Sequence, residues 1–301
     1  MVHPASPAAR QRLVLGVIGG SGLYKMPALA GGTAVEIDTP FGKPSGAFTC
    51  AKLPRAGKPE LEIVFVARHG AGHRLLPAEV NYRANVHGLK QLGVTHMLSV
   101  TAVGSLRKKI VPGHLVFPDQ FIDRTRSRAS TFFGEGIVGH VQFGQPTTPA
   151  FRDLARDAAE EAGATVHDGG TLVVIDGPAF STKAESLLYR EWGASIIGMT
   201  TLPEAKLARE AEMAYAALAL ATDYDCWHEA EEEVSAASVM QIVAKNVELA
   251  QRAILELVAA LPASTEDLPY PRACDHAVIT DPSTISDAAR QRLDLIVGHY
   301  L

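Results

Sequence analysis

The sequence predicts an α/β fold with a largely parallel central sheet. Apolar runs that are typical of buried strands alternate with helical segments along most of the chain. Most of these runs end in glycines, hydroxyl side chains or charged residues, and in open α/β sheets ligands bind at that end of the strands. A length of 301 residues with 47% hydrophobic content suffices for one α/β domain or two smaller ones.

The first half of the chain contains four predicted elements. Residues 13–18 are continuously aliphatic and predict a buried strand that ends in a glycine-rich turn. A second strand, over 62–70, runs into a polar loop. The spacing then predicts a helix over 77–93, with proline at its start and glycine at its end. A third strand, over 95–106, ends in a loop of small residues.

The second half continues the alternation. Residues 169–182 predict a strand and a loop, followed by a helix to about Trp192. Residues 194–210 predict a strand, a loop and a helix, and 213–227 predict a strand that ends in acidic residues. A long amphipathic helix is expected over 235–261.

Two segments are expected to be irregular. Residues 124–149 form a long loop, and loops of that length inside a domain are usually functional or contact a partner. Residues 262–272 resemble a linker, and a short helix follows over 283–301. We therefore expect one main domain over 13–261, with a C-terminal linker and helical tail over 262–301 that packs on the same domain.

Composition excludes several classes of protein. A formal net charge of −5 with 20% charged residues does not indicate a nucleic-acid or membrane-surface binder. No stretch approaches the roughly 20 apolar residues of a membrane helix. The three cysteines, Cys50, Cys226 and Cys274, show neither a disulfide framework nor zinc spacing, so we expect a reducing, cytoplasmic compartment.

The glycine-rich turn after the first strand does not match a dinucleotide fingerprint. That fingerprint, started at Gly20-x-Gly22, requires a glycine at position 25, which is Lys25; started at Gly19, it requires glycine where Ser21 stands. A turn without a ligand is one open alternative, and a dinucleotide is a weaker one. The favoured interpretation is a small anion held by backbone N–H groups and the Ser21 hydroxyl.

Other strand ends carry further anion donors. Arg68 offers a planar fork that matches phosphate oxygens, and His69 can donate a hydrogen bond. Thr101 and Thr200 offer hydroxyls at two more strand ends. His69 and His73 have no third ligand nearby, so we expect no metal site.

Two acids, Asp223 and Asp225, end the last strand. In extended backbone their spacing places both carboxylates on one face. Such a pair could bind metal, hydrolyse a glycoside or bind a base. Together with the anion donors, the pair best fits a phosphate that attacks a glycosidic carbon. One acid would protonate the leaving base, and the other would accept hydrogen bonds from an exocyclic amine.

These motifs resemble those of the 5′-methylthioadenosine phosphorylases, in the purine nucleoside phosphorylase superfamily. The resemblance runs from about Leu15 to Leu261 and includes GVIGGSGLY, DTPFGKPS, ARHG, VNYRAN, VGSL, PDQFIDRT, GPAFSTKAES, MTTLPEA and ATDYDCW. It implies a single domain with a mixed, largely parallel central sheet flanked by helices. It also implies phosphorolysis of S-methyl-5′-thioadenosine to adenine and 5-methylthioribose 1-phosphate.

The resemblance also assigns residues to roles. Phosphate contacts are implied for Ser21, Arg68, His69, Thr101, Ala102 and Thr200. Met199 would lie against the ribose and Phe180 beside the purine. Asp223 would serve purine N7, which requires it to be protonated at some point, and Asp225 would accept from the 6-amino group. His140 would reach the methylthio side of a neighbouring subunit's site.

The family assembles mostly as trimers and sometimes as hexamers, and it uses inorganic phosphate as co-substrate without a cofactor. Two positions depart from its pattern: Gly198 stands where relatives usually have Asn, and Ala236 where adenine-nucleoside relatives often carry a larger aliphatic residue. Since a carboxylate accepts from an amine and repels a 6-oxo group, two acids favour adenine. The alternatives are a methylthioinosine or 6-oxopurine nucleoside phosphorylase and a non-catalytic nucleoside-binding protein.

Overall fold

A computed structural model of the protein describes residues 12–20, 22–23, 26–228 and 236–301, except for the side chains of 236–241. Among these residues, no helix combines the length and the apolar composition needed to cross a membrane.

The elements alternate as the sequence predicts. The strands are β1 (Val14–Gly19), β2 (Thr33–Val35), β3 (Phe48–Arg55), β4 (Lys58–Ala67), β5 (His96–Ser105), β6 (Leu115–Phe117), β7 (Gln120–Arg124), β8 (Val166–Asp168), β9 (Thr171–Ile175), β10 (Ile196–Gly198) and β11 (Ala214–Asp223). The helices are α1 (Tyr82–Gln91), α2 (Pro149–Glu161), α3 (Lys183–Glu191), α4 (Thr201–Glu210), α5 (Ala236–Ala260) and α6 (Asp287–Val297).

The eleven strands among the described residues belong to one mixed sheet that branches at β5. Its main order is β2-β3-β4-β1-β5-β10-β9-β7, and β11 pairs with both β5 and β6. The central pairs β4–β1, β1–β5 and β5–β11 are parallel, whereas β10 pairs antiparallel with the end of β5. The predicted α/β class with a mixed, largely parallel sheet is confirmed.

Helices cover both faces of the sheet. One core cluster joins the sheet to α1, α4 and α6, and the other joins it to α2 and α5. Along β1, Val14 and Ile18 belong to the first cluster and Leu15 and Val17 to the second. This alternation follows from the two-residue period of a strand, and burial on both faces explains why β1 is continuously apolar.

Some elements differ from the prediction. Helix α1 begins at Tyr82 rather than at residue 77, because the Asn81 side chain accepts from Ala84 N at 3.1 Å and caps the helix there. The predicted loop over 124–149 ends where α2 begins, at Pro149. The sequence prediction also missed helix α2 and the strands β2, β3, β6, β7 and β8.

The C-terminal tail is attached through the end of α4. The Glu212 carboxylate accepts from Cys274 N at 3.0 Å and from the Tyr300 hydroxyl at 2.6 Å. The neighbouring Glu210 accepts from Phe132 N at 2.6 Å and from the Thr131 hydroxyl at 2.7 Å. Two buried carboxylates therefore join α4 to the tail and to the segment that follows β7. The predicted domain boundary at residue 261 stays a prediction.

Burial raises the pKa of Glu210 from 4.5 to about 7, although its hydrogen bonds from Phe132 and Thr131 act in the opposite direction. The folded state therefore holds this proton more tightly than the unfolded chain, and the free energy of unfolding falls as pH rises from about 4.5 to about 7. Glu210→Gln removes this contribution, which is on the order of 3 kcal/mol. We expect urea unfolding of the variant to depend less on pH in that window, and equal slopes in variant and wild type would contradict this. Exposed Glu161→Gln is the control.

Candidate active site

The antiparallel pairing of β10 with β5 brings two hydroxyls together. Ile196 lies opposite Ser105 and Ile197 opposite Gly104, so the chain that leaves β10 runs back along β5. As a result, Thr101 Oγ1 on β5 and Thr200 Oγ1 at the start of α4 lie 3.0 Å apart, and both residues are nearly buried. This hydroxyl pair lies at the edge of the sheet where β1 and β4 also end.

The two acids, at the end of β11 and just after it, lie beside a later residue of β5. Asp223 is opposite Gly104 of β5, where the pairing of β11 with β5 is irregular. A Cβ atom at Gly104 would lie 3.0 Å from Asp223 Oδ1 and 3.3 Å from Asp225 Cβ. Any larger residue would therefore press against both acids, so glycine favours their close approach to β5.

A turn, rather than strand alternation, brings the carboxylates together. The sequence prediction of an extended backbone over both acids is wrong, because Asp225 has φ +51° and starts a single 3-10 turn. Asp225 N donates to Asp223 Oδ1 at 2.8 Å, and the Thr222 hydroxyl donates to Asp223 Oδ2 at 2.7 Å. Asp223 is thus held by two donors from its own segment.

Strand β5 fixes the separation between the hydroxyl pair and the acids. Thr101 and Gly104 are three residues apart, which corresponds to about 10 Å of extended backbone. The site therefore has one end suited to an anion and another suited to hydrogen-bond donors.

The Arg68 side chain is part of a buried ion pair, and its predicted contact with phosphate stays a prediction. Its Nε and Nη2 donate to the two carboxylate oxygens of Glu204 at 2.5 and 3.0 Å, and its Nη1 donates to Val100 O at 3.0 Å. Arg68 is 1% exposed and Glu204 is fully buried. The Ser99 hydroxyl also donates to Glu204, at 2.6 Å. The planar fork predicted to bind phosphate is therefore occupied by a buried carboxylate.

The His69 ring also differs from the expected donor. Its Nδ1 lies 2.9 Å from Leu75 O, and because a carbonyl can only accept, Nδ1 carries the proton. Burial and then the charge of Arg68 lower the pKa of His69 to about 4. The ring is thus neutral at neutral pH, and its Nε2 is an acceptor. It can bind a hydroxyl of a sugar or of a protonated phosphate.

Sequence reasoning missed Arg128, which joins the loops around the site. Its Nη1 donates to Met199 O at 2.5 Å and to Leu202 O at 2.7 Å, and its Nη2 donates to Asp176 O at 2.9 Å. The side chain is 1% exposed and lies over the ring of Tyr82. One buried guanidinium therefore holds the loop that carries Met199 and Thr200 against the end of β9.

The loop after β9 contacts the turn that carries Asp225, and it exposes an aromatic side chain. Ser181 O accepts from the Cys226 thiol at 3.3 Å, next to Asp225, and the adjacent Phe180 is 83% exposed. Gly177 has φ +67°, and a Cβ there would lie 2.5 Å from Met199 Sδ. The glycine therefore allows Met199 to pack against this loop.

The remaining predicted residues lie in separate places. Ala102 is exposed on β5, beside Thr101. His140 is exposed on a short ribbon in which its N donates to Ala277 O at 2.9 Å, and its predicted role in a neighbouring site stays a prediction. Ser21 lies outside the described residues, and so does the side chain of Ala236, at the first residue of α5.

Gly198 fits tightly packed surroundings. A Cβ atom at this position would lie 3.2 Å from Val103 Cγ1 and 3.6 Å from Leu172 Cδ1. The space that a side chain would need is therefore partly filled by two aliphatic neighbours in this chain.

Within the described part of the chain, no three His, Cys, Asp or Glu side chains converge in a way that could hold a metal ion.

Comparison with known proteins agrees with this fold and site. The family model described as the phosphorylase superfamily matches residues 14–259. The chain is 53% identical over 292 residues to the S-methyl-5′-thioadenosine phosphorylase of Geobacter sulfurreducens, covering 96% of this chain and 99% of the relative. It is 52% identical to the Synechocystis enzyme of the same name, covering 95% of this chain and 87% of that relative.

The similar solved structures are also methylthioadenosine phosphorylases. A methylthioadenosine phosphorylase from an antarctic soil metagenomic library superposes with a TM-score of 0.86 at 44% identity, covering 95% of this chain and 99% of that one. Methylthioadenosine phosphorylase from Schistosoma mansoni in complex with adenine has a TM-score of 0.76 at 37% identity, and the match covers 82% of this chain and 91% of that one. The chain belongs to the S-methyl-5′-thioadenosine phosphorylase family of the phosphorylase superfamily.

The Arg68–Glu204 ion pair leads to a stability prediction. Arg68→Met leaves the Glu204 carboxylate buried without its charged partner and should lower the free energy of unfolding by about 3–5 kcal/mol. The double variant Arg68→Met/Glu204→Met should be less destabilised than the single variant. As a control, Arg12→Met breaks an exposed pair with Glu62 and should cost at most about 1 kcal/mol. Urea unfolding measures all three, and a double variant less stable than Arg68→Met contradicts the prediction.

The contacts of Arg128 lead to a prediction about turnover. Arg128→Lys retains the charge but cannot reproduce donation from a planar fork to several carbonyls. The loop that carries Met199 and Thr200 should loosen, so kcat should fall at least about tenfold with the fold retained. Circular dichroism checks the fold, and steady-state kinetics measure kcat. Arg126→Lys, at an exposed position two residues away, is the matched control, and equal effects of both variants would exclude a specific role.

Proposed function

We propose that the protein catalyses phosphorolysis of S-methyl-5′-thioadenosine to adenine and 5-methylthioribose 1-phosphate. The observation that carries the proposal is the arrangement along β5: paired hydroxyls at Thr101 and Thr200, and paired carboxylates about 10 Å away at Gly104. The names of the relatives supply the substrate.

In the proposed reaction, phosphate is the nucleophile. A phosphate oxygen forms a bond to C1′ of the sugar, and the bond from C1′ to N9 of adenine breaks. The two threonine hydroxyls, with Ser21, Ala102 and the loop at Arg68 and His69, hold the phosphate below the sugar. The positive charge of Arg68 attracts the phosphate from within the buried ion pair. The neutral His69 ring accepts a hydrogen bond from a hydroxyl of the sugar or of the phosphate.

The carboxylates and the exposed ring receive the base. Asp223 serves the N7 edge, where protonation lets the leaving base depart as neutral adenine. Asp225 accepts a hydrogen bond from the 6-amino group, and Phe180 stacks on the purine. Met199 packs against the ribose between the two ends, held there by Arg128 and Gly177.

The proposal also covers the co-substrate, the oligomeric state and the cellular compartment. Phosphate is the co-substrate, and no cofactor takes part. The chain assembles as a homotrimer, or as a hexamer built from trimers, in the cytoplasm. The resemblance of the sequence supports the trimer, together with the exposed position of His140, which a neighbouring subunit's site can accept. The widely spaced cysteines support the compartment.

The test measures adenine released from S-methyl-5′-thioadenosine with phosphate, and with sulfate at the same ionic strength. We expect adenine to be released with phosphate but not with sulfate, and 5-methylthioribose 1-phosphate to form in an amount equal to the adenine. No release, or equal release without phosphate, would contradict the proposal.

A variant pair locates the phosphate in the same assay. Thr200→Val removes a hydroxyl from the anion end, so KM for phosphate should rise about tenfold while KM for the nucleoside changes little. Thr201→Val is the matched control, because the buried Thr201 hydroxyl has no hydrogen-bond partner among the described residues. Equal effects of the two variants on KM for phosphate would place the anion elsewhere.

A further inference from the structure

A buried hydroxyl on α3 contacts one of the two acids. Ser186 is fully buried, and its Oγ donates to Asp225 Oδ2 at 2.5 Å. Ser186 lies in the first turn of α3, whose start is fixed by a capping box between Thr182 and Glu185. The donor is therefore held in place by a helix that begins beside the candidate base site.

The surroundings of Asp225 favour opposite protonation states. Burial raises the pKa of the Asp225 carboxyl, and the charge of Asp223 adds to this effect. The Ser186 hydroxyl and the backbone N–H of Cys226 oppose it by donating to the carboxylate. The other titratable groups that face this corner are the Cys226 thiol and Lys183 of α3. Ser186 is thus one of two donors that favour the ionised form.

The protonation state of Asp225 decides which bases it can accept. An ionised carboxylate offers only acceptors, so it binds an exocyclic amine and repels a carbonyl oxygen. A protonated carboxyl has an O–H that can donate to a carbonyl oxygen. A purine with a 6-amino group therefore fits the first state, and a purine with a 6-oxo group fits the second.

We propose that Ser186 is a positioning residue that sets base selectivity, because its O–H holds Asp225 as an acceptor for a 6-amino group. The inference rests on the proposed function, which places a purine against Asp225. It adds a residue of α3 that does not itself contact the base. It also explains why a polar side chain lies fully buried in the first turn of this helix.

The test uses adenine and hypoxanthine as probes, with dissociation constants measured by calorimetry in the presence of phosphate. For Ser186→Ala, we expect the preference for adenine over hypoxanthine to fall about tenfold, since a hydrogen bond to a charged group is lost. Ser186→Thr retains the hydroxyl and should retain the preference. Ser45→Ala is the matched control, because Ser45 is a buried serine whose Oγ accepts a hydrogen bond from Asn85 instead.

A double-mutant cycle separates selectivity from general damage to the site. If Ser186 acts through Asp225, then Ser186→Ala should not change the preference further in an Asp225→Asn background. Additive effects, or an equal loss of affinity for both bases in Ser186→Ala, would overturn the proposal. If Ser186→Thr does not fold, the cycle alone decides.

The two proposals can fail separately. If the wild-type protein releases no adenine from S-methyl-5′-thioadenosine, but Ser186→Ala shifts the binding preference as expected, the proposed reaction is wrong and the role of Ser186 stands. If release depends on phosphate but the preference is unchanged in Ser186→Ala, the role of Ser186 is wrong and the reaction stands.

Discussion

The buried ion pair between Arg68 and Glu204 holds the anion end of the site together. It joins the end of β4 to the first turns of α4, and through Ser99 and Val100 it also binds β5. Burying two charges costs free energy unless each charge is fully paired. The ion pair therefore restricts the relative positions of β4, β5 and α4. Thr200 directly precedes α4, and its approach to Thr101 depends on this arrangement. The cation that the sequence pattern assigns to phosphate thus also positions the elements that carry the two hydroxyls.

Strand β5 organises the rest of the site. On one edge, its first part pairs in parallel with β1 and its end pairs antiparallel with β10; on the other edge, β11 pairs in parallel with it as far as Gly104. The change of partner from β1 to β10 returns the chain to Thr101, and the pairing with β11 places Asp223 opposite Gly104. Two buried side chains then hold the neighbouring groups in place. Arg128 binds carbonyl oxygens of two loops, and Ser186 donates a hydrogen bond to Asp225. Buried donors outside the ligand pocket therefore determine the geometry of the groups that line it.

The sequence predicted the elements that carry strong local patterns. β4, β5, β11 and α5 have long apolar or amphipathic runs, and the loops that follow the strands contain most of the candidate residues. The strands β2 and β6 are three residues long, which is too short for periodicity to show. The partner of Arg68 lies 136 residues away, and no local pattern predicts such a pair. The left-handed Asp225 was missed because acids two apart at the end of a strand suggest extended backbone.

The most direct test of the account is a crystal structure of the protein with phosphate and adenine bound together. The account predicts that phosphate oxygens lie within hydrogen-bond distance of both Thr101 Oγ1 and Thr200 Oγ1. It also predicts that the N7 and 6-amino edge of adenine faces Asp223 and Asp225, with Phe180 against the ring. A phosphate bound away from the two threonines, or an adenine whose N7 edge faces away from both acids, would contradict the account.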